Sequence, residues 1–322
     1  MQVLPDIYMP LPQKPPNSSV VAEANKETRR WIDEFHLCPT ADVRQAVADT
    51  NAVQCMALFY PEIDTEKLIL LGQFVTLGFM IDDEWAVSNP QDVLSRLVSL
   101  LGVIEGDGDP SDSSGRAFAG VWQRILKGRP EVWRSAYRRN VVDHLWGQYG
   151  ELVDKASGRW PELWAYQVNR RHTFGMEFLL DQCEMVADVY LPEVVRRLPA
   201  MACLREAIAD HQTLVNDIIS VSKEEGDGDY HNFILLTESH ESIARQVALD
   251  KANAVATKLF KRVITAREEL TDQLKVLPIT DQERRDASRI ADDYLVTVRA
   301  NYDYYFDSMV RRYDLSGSVI AE

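Results

Sequence analysis

The chain has 322 residues, 46% of them hydrophobic, and a formal net charge of -15 at pH 7. Nucleic-acid binding depends on Lys and Arg side chains that neutralise phosphates, so this acidic balance argues against a nucleic-acid partner. An anionic small molecule would need a local site made of a few basic residues or of metal ions. The length allows either two average domains or one large core.

The cysteines and the N-terminal segment indicate the cellular compartment of the protein. The cysteines lie far apart and form no CxxC pair, so they predict neither a zinc site nor a disulfide framework; they are Cys38, Cys55, Cys183 and Cys203. Residues 1–20 hold five prolines, which exclude a regular helix, and they lack the basic-then-apolar pattern of a signal peptide. We therefore expect a proline-rich tail over residues 1–20, reduced thiols and a cytoplasmic protein.

From residue 21 onward the apolar residues recur at spacings of three and four, which predicts helices almost throughout and no strand. Prolines and glycine-rich segments divide this region into roughly ten helices. No linker separates two compositions, so we predict one all-α helical bundle over residues 21–313 and a C-terminal tail over residues 314–322. Two acidic, glycine-rich segments, 105–115 and 226–229, are predicted surface loops.

The most apolar stretch of the chain runs from 68 to 81. It is interrupted by Gln73 and Thr76, and it is shorter than the roughly 18 to 20 apolar residues that cross a bilayer. The stretch therefore predicts a buried core helix and no membrane insertion.

Three adjacent acidic residues, Asp82, Asp83 and Glu84, follow this apolar helix directly. Carboxylates at the end of a core helix cost free energy unless a positive group meets them. Mg²⁺ is one such group, since it binds carboxylate oxygens, keeps waters and bridges to substrate phosphates. The other interpretation is that the helix has reached the surface and the acids are solvated. These three residues alone do not decide between a metal site and a solvated face.

A second polar cluster lies in the segment LVNDIISVSKEEGDGDYHN. Asn216, Ser220 and Glu224 are spaced four residues apart, so on an α-helix they share one face. An amide oxygen, a hydroxyl and a carboxylate in that array can bind one Mg²⁺, and Lys223 beside them can meet a phosphate. Because the opposite side is apolar, with Leu214 among its residues, an outward polar face is the alternative.

The two clusters together resemble motifs of microbial (bacterial and fungal) class I terpene synthases of the sesquiterpene type. NDIISVSKE is similar to the NDxxSxxKE motif of that family without a mismatch, and MIDDEW resembles the start of its aspartate-rich motif, DDxx(D/E). The spacing of about 130 residues between them is also similar to the family. The resemblance spans roughly residues 70–313, and it implies a single-domain, all-α class I terpenoid synthase bundle.

Further matches to the family follow in order along the chain. Arg171 resembles the arginine that senses the diphosphate, with Arg170 as the alternative one residue away, and Gly175 resembles the helix-break position. Near the C-terminus, Arg312 and Tyr313 are similar to the RY pair that hydrogen-bonds diphosphate when the site closes.

Two positions depart from the family pattern. The third acid of DDxx(D/E) is expected at position 86, which is alanine here, and Glu84 stands at an unusual place. The position between the sensing arginine and the helix break, often acidic or polar in the family, is Phe174. By resemblance Asp82 should still contact metal, while the contribution of Asp83 and Glu84 is left open.

The resemblance implies a terpene cyclase, a carbon–oxygen lyase that ionises a linear isoprenoid diphosphate. The resemblance favours farnesyl diphosphate over geranyl and geranylgeranyl diphosphates as the substrate, which would be cyclised to a sesquiterpene hydrocarbon or alcohol with release of diphosphate. Three Mg²⁺ ions, or Mn²⁺ in their place, would bind Asp82, Asp83, Asn216, Ser220 and Glu224. The diphosphate and the closure of the site would depend on Arg171, Lys223, Arg312, Tyr313 and Gly175. The carbocation would face an aromatic wall, for which the candidates are Phe79, Phe306, Phe74 and Trp85.

Two other functions compete with this one. A prenyl chain-elongating synthase shares the helical fold and the metal chemistry, but it resembles a pattern with aspartate-rich motifs on both helices, where this chain has NDxxSxxKE. A non-catalytic helical interaction protein would carry the acidic clusters as surface decoration and would bind no diphosphate. The resemblance further implies a homodimer that has neither nucleic acid nor a membrane among its partners.

Overall fold

The computed structural model describes residues 2–108, 110, 112–313 and 318–320, and fourteen α-helices lie in this part of the chain. The helices are α1 (Ser18–Glu34), α2 (Ala41–Thr50), α3 (Ala52–Phe59), α4 (Thr65–Trp85), α5 (Pro90–Glu105), α6 (Ser113–Leu126), α7 (Glu131–Ser157), α8 (Leu163–Thr173), α9 (Met176–Ala187), α10 (Glu193–Arg196), α11 (Pro199–Gly226), α12 (Phe233–Glu241), α13 (Arg245–Val276) and α14 (Asp281–Phe306). Two three-residue strands, β1 (Gln2–Leu4) and β2 (Ser318–Ile320), pair in parallel. All four cysteines are free thiols, as the sequence predicts.

The prediction of an all-α fold is confirmed, although the described residues hold more helices than predicted and one pair of strands that was not predicted. Helices α2 and α3 are separated by a single residue, Asn51, whose φ of 47° lies in the left-handed region. The Asn51 side chain also caps α3, since it accepts a hydrogen bond from the Gln54 amide. A break of one residue without Pro or Gly leaves little signal in a sequence.

The proline-rich tail is extended up to α1, which begins at Ser18. Two tail carbonyl groups accept hydrogen bonds from the bundle: that of Asp6 from Asn253 Nδ2 at 2.9 Å, and that of Leu11 from Arg299 Nη1 at 2.8 Å. The tail therefore lies against α13 and α14.

Helix α4 packs against α1, α3, α6 and α7. Leu68 and Leu71 are fully buried, and the helix continues through the acidic cluster to Trp85. The predicted core helix is therefore present, and the acidic cluster lies on its last turn. No helix among the described residues combines the length and the apolar character needed to span a membrane.

Helix α11 packs mainly on α13 and also contacts α8, α9, α12 and α14. It begins with Pro199, whose fixed φ suits a first helical turn, and it ends at Gly226 in the predicted acidic loop. From Ala207 to Val221 every residue except Asp210 is buried. The second polar cluster therefore begins inside the bundle, which excludes the fully outward polar face considered from the sequence.

Candidate active site

A cavity of about 450 Å³ lies among the helices that carry the two polar clusters. Its charged lining includes Asp82, Asp83, Glu224, Arg170, Arg312 and Lys223. Its aromatic lining includes Phe59, Phe74, Phe79, Phe118, Phe174 and Phe178. A cavity with both kinds of lining can hold a ligand that has an anionic head and an apolar body.

Asp82 and Asp83 reach the cavity from the last turn of α4 and share one counter-ion. Arg312 Nη2 lies 3.2 Å from Asp82 Oδ2 and 2.8 Å from Asp83 Oδ1. The two carboxylate side chains are 45% and 42% exposed, whereas the Arg312 side chain is 8% exposed. One guanidinium thus partly neutralises two carboxylates, which stay open to a bound cation.

Glu84, the third acid of the cluster, does not line the cavity. Its carboxylate pairs with Arg96 on α5, where both side chains are exposed. Ala86, at the position of the third acid in the family, does line the cavity. The structure therefore brings Asp82 and Asp83 to the site and leaves Glu84 in a surface ion pair.

Asn216, Ser220 and Glu224 follow one another on one face of α11, as their spacing predicts. Asn216 and Glu224 line the cavity, and Ser220, between them on the helix, is 1% exposed. Asn216 Oδ1 accepts a hydrogen bond from Arg170 Nη2 at 2.7 Å, and Asn216 Nδ2 donates to the Tyr305 hydroxyl at 2.9 Å. The amide is therefore fixed in orientation by partners on α8 and α14.

Asp217, although part of the NDxxSxxKE match, holds helices together. Its Oδ2 accepts hydrogen bonds from the Tyr166 hydroxyl at 2.6 Å and from the Phe233 amide at 3.0 Å, and its Oδ1 accepts from Arg170 Nε at 3.2 Å. The residue is buried and does not line the cavity. Its hydrogen bonds therefore link α8 and the start of α12 to α11.

The oxygen donors of the two clusters suit a hard cation. The Ser220 hydroxyl is buried on the same face of α11 as Asn216 and Glu224, one helical turn from each. Burial raises the pKa of Glu224, against the opposing effect of the Arg170 guanidinium, and a bound cation would favour the charged form. No three His, Cys, Asp or Glu side chains of the described ranges cluster around one point, so amide and hydroxyl oxygens have to contribute.

The adjacent arginines of α8 point in different directions. Arg170 lines the cavity, where it is hydrogen-bonded to Asn216 and Asp217. Arg171 instead pairs with Asp210, with 2.9 Å between Nη2 and Oδ2, and it does not line the cavity. One residue corresponds to a rotation of about 100° on an α-helix, so only one of the two can face the site. In contrast to the prediction, the structure therefore places Arg171 outside the cavity and Arg170, the alternative considered from the sequence, at the cavity.

Helix α8 gives way to α9 at Gly175, whose φ of 74° lies in the left-handed region. A side chain there would collide with Phe178, because a Cβ atom would lie 2.5 Å from Cε1 of that ring. Thr173 and Phe174 line the cavity just before the break, whereas Gly175 itself does not. Gly175 therefore permits the break, and the two residues before it, Thr173 and Phe174, face the cavity.

Tyr313 and Lys223 complete the polar surroundings of the cavity. The Tyr313 hydroxyl accepts a hydrogen bond from Asn216 Nδ2 at 3.2 Å. Lys223 Nζ pairs with Asp227 at 2.9 Å, and both residues line the cavity. Through Arg312 and Tyr313, the C-terminal segment contacts the acidic cluster of α4 and the polar cluster of α11.

The four aromatic residues predicted for the wall divide into two pairs. Phe74 and Phe79 line the cavity, and the Arg312 guanidinium carbon lies 4.9 Å from the centroid of the Phe79 ring. Trp85 is buried outside the cavity, and Phe306 is 38% exposed at the surface. In contrast to the prediction, the structure does not bring Trp85 and Phe306 to the cavity.

Sequence reasoning missed several aromatic cavity residues. They come from α3, α6, α9 and α14, which carry no motif in their cavity-facing turns, so no local signal marks them; they are Phe59, Phe118, Phe178, Tyr304 and Tyr305.

Known proteins agree with this geometry. The family model "Terpene synthase family 2, C-terminal metal binding" matches residues 73–262, more than half of the chain. The chain belongs to this family. It is therefore a terpene synthase, a lyase that acts on prenyl diphosphates, and the family expected from the two motifs is confirmed.

The synthase is similar to characterised bacterial enzymes over nearly its whole length. It is 28% identical to (2Z,6E)-hedycaryol synthase of Kitasatospora setae, over 96% of this chain and 92% of the relative. It is 24% identical to 7-epi-alpha-eudesmol synthase ((2E,6E)-farnesyl diphosphate cyclizing) of Streptomyces viridochromogenes, over 94% of this chain and 91% of the relative. A solved structure of hedycaryol synthase superposes with a TM-score of 0.86 at 25% identity, covering 95% of this chain and 99% of that one.

Replacing Gly175 by alanine is expected to destabilise the synthase. The left-handed φ and the close approach to Phe178 together cost about 1–3 kcal/mol in the free energy of unfolding. Chemical denaturation measures this difference. Gly150→Ala on α7 is the matched control, because a Cβ atom there meets nothing within 4 Å. A Gly175→Ala protein as stable as the Gly150→Ala protein would contradict the strain argument.

Proposed function

We propose that the synthase converts farnesyl diphosphate into a cyclic sesquiterpene hydrocarbon or alcohol and releases diphosphate. The observation that carries this proposal is the meeting of the charged lining and the aromatic lining in one cavity. One site can then hold the diphosphate head and fold the apolar chain of the substrate. The relative named as cyclising (2E,6E)-farnesyl diphosphate supports the choice of substrate.

We further propose that Mg²⁺ is held by two donor sets, with three ions by family resemblance and Mn²⁺ able to replace them. One set is the carboxylate pair Asp82 and Asp83 on α4, and the other is the mixed set of α11: Asn216, Ser220 and Glu224. When bound, the ions stabilise the negative charge that builds on the diphosphate as its C–O bond breaks. The metal-binding description of the family, the half-exposed aspartates and the shared helix face of Asn216, Ser220 and Glu224 support this assignment.

Arg170, Lys223, Arg312 and Tyr313 are proposed to bind the diphosphate. An arginine donates two parallel hydrogen bonds to a phosphate, whereas a lysine acts as a point charge. Their donor groups are already gathered around one cavity, where they are bonded to the acids and amides of the two clusters. An arriving diphosphate would take over these donors, and groups positioned in advance stabilise the charge of the leaving group with little reorganisation.

The aromatic lining is proposed to guide the carbocation. The faces of aromatic rings attract positive charge, and a closed apolar wall excludes the water that would quench the cation. Phe74 packs against Phe178 with 5.7 Å between ring centroids and against Phe118 with 6.3 Å. These mutual contacts fix the shape against which the chain folds, and that shape selects the product.

Gas chromatography with mass detection on purified protein incubated with farnesyl diphosphate tests this function. We expect a cyclic C15 product with Mg²⁺ and none after the metal is removed by chelation. Asn216→Ala should lower product formation by about 100-fold or more, because it removes one donor of the α11 set. Thr213→Ala is the control, because Thr213 is buried on the same helix outside the cavity, and its activity should stay within about threefold of wild type.

A wild-type protein that yields no terpene from farnesyl, geranyl or geranylgeranyl diphosphate would overturn the proposed function. Consumption of added isopentenyl diphosphate would instead indicate a chain-elongating synthase.

The homodimer implied by the family resemblance is likewise proposed, and light scattering on the purified protein determines whether it forms.

A further inference from the structure

His144 is a cavity residue whose chemistry the proposed function does not use. It lies on α7 and lines the cavity where the two linings meet. Its ring packs edge-to-face against Phe178, with 5.2 Å between centroids, and the charge of Asp82 also acts on it. Gln148, one turn further along α7, lines the cavity as well. His144 is therefore placed beside a substrate that reaches from the charged lining into the aromatic lining.

The hydrogen bond of the ring determines which nitrogen carries the proton. His144 Nδ1 lies 2.9 Å from the carbonyl oxygen of His172, at the helix break, and a carbonyl oxygen can only accept. Nδ1 must therefore be the protonated nitrogen of the neutral ring. Nε2 then carries the lone pair of the ring.

The surroundings favour this neutral form. Burial lowers the pKa of His144, against the opposing effect of the His172 carbonyl group. The other histidine of the cavity differs, because His231 Nδ1 lies 3.2 Å from Asp229 Oδ1. Although burial opposes it, that bond raises the pKa of His231 and favours its protonated form. Of the two rings, His144 is the one suited to accept a proton.

We propose that His144 Nε2 is the proton acceptor that ends the carbocation cascade, an inference that rests on the proposed function. The C–H bond next to the cationic carbon breaks, and its electron pair becomes the π-bond of a new C=C bond. The proton goes to Nε2 and the ring becomes an imidazolium, while Nδ1 still donates to the His172 carbonyl oxygen. The imidazolium then passes the Nε2 proton to the released diphosphate, which restores the starting form of the ring.

His144→Asn removes the basic nitrogen and keeps a donor for the His172 carbonyl oxygen. The asparagine Nδ2 can still donate to the His172 carbonyl oxygen, but the side chain has no basic nitrogen. We expect the main olefin to fall by about tenfold or more as a share of products, replaced by other olefins and by alcohols from added water. Release of diphosphate from farnesyl diphosphate should stay within about threefold of wild type, because ionisation precedes the proton transfer.

His172→Asn is the matched control. It removes an imidazole from the same break, but the His172 side chain pairs with Glu177, with 2.8 Å between Nδ1 and Oε2, and does not line the cavity. The His172 carbonyl oxygen that accepts from His144 is kept, so the product distribution should match wild type. If His144→Asn fails to fold, His144→Gln replaces it with the same expectation, and thermal unfolding is measured for every variant.

Three results would overturn the proposal. The first is a wild-type product distribution in the folded His144 variant. The second is an equal change in the His172→Asn protein, which would assign the effect to support of the break. The third is an alcohol formed without loss of a C–H proton as the sole wild-type product. A wild-type protein that forms no terpene at all refutes the proposed function itself, and this outcome is told apart because it does not depend on any variant.

Discussion

Replacing Arg170 by alanine is expected to lower kcat/KM for farnesyl diphosphate by about 100- to 1,000-fold, because one donor to the leaving diphosphate is lost. Arg171→Ala removes the same kind of group from the next position, and its kcat/KM should stay within about threefold of wild type. The contrast arises because Arg170 lines the cavity, whereas Arg171 pairs with Asp210 outside it. Steady-state release of diphosphate measures both variants.

Arg170 also stabilises the fold, so a second variant is needed. Its guanidinium pairs with buried Asp217, and removal of one partner of a buried pair costs about 3–5 kcal/mol. Arg170→Lys keeps the positive charge but loses the fork of donors. We expect this variant to bind inorganic diphosphate about tenfold more weakly in the presence of Mg²⁺, as measured by calorimetry. Unchanged affinity in Arg170→Lys, or an equal loss in Arg171→Ala, would argue against Arg170 as the sensing arginine.

Asp82→Ala is expected to lower kcat/KM by about 100-fold or more and to raise the Mg²⁺ concentration needed for half-maximal rate. The variant removes one of the two carboxylates that α4 offers to the cavity, and among the described residues it leaves Asp83 as the acidic partner of Arg312. Initial rates measured over a series of Mg²⁺ concentrations separate weaker metal binding from a slower reaction.

Glu84→Ala is the matched control for this experiment, since it removes an acid from the same turn of α4. Glu84 forms an exposed ion pair with Arg96, and such pairs contribute at most about 1 kcal/mol. Its Mg²⁺ dependence should therefore match wild type. A Glu84→Ala enzyme as impaired as Asp82→Ala would mean that the cluster acts through a residue that the structure turns away from the cavity.

The parts of the site that lie on one helix could be predicted from the sequence. Asn216, Ser220 and Glu224 are four residues apart, and helix geometry alone places such residues on one face. The apolar stretch before Asp82 likewise predicts a core helix, and α4 is that helix. In both cases the needed information is local, because spacing and polarity within a few turns determine which side of a helix faces the protein interior.

The remaining features depend on information that is not local. The choice between Arg170 and Arg171 is a difference of one residue in register, and it is decided by Asn216 and Asp217 on another helix. Phe306 lies on the last turn of α14 and Trp85 on that of α4. At these positions a small rotation about the helix axis decides whether a side chain faces the cavity, the core or the solvent. The pairing of β1 with β2 joins residues at opposite ends of the chain, and no periodic pattern within either segment reveals its partner.

This pairing of the first and last strands also matters for how the enzyme is handled. Val3 lies opposite Val319 in the ladder, and only five positions separate Tyr313 from Ser318. A purification tag fused beside either strand would thus lie next to this strand pair, which is close in the sequence to Arg312 and Tyr313, two of the four residues proposed to bind the diphosphate. Where product release limits the rate, such a fusion would change kcat. Kinetic constants for this synthase are therefore best measured after the tag has been cleaved.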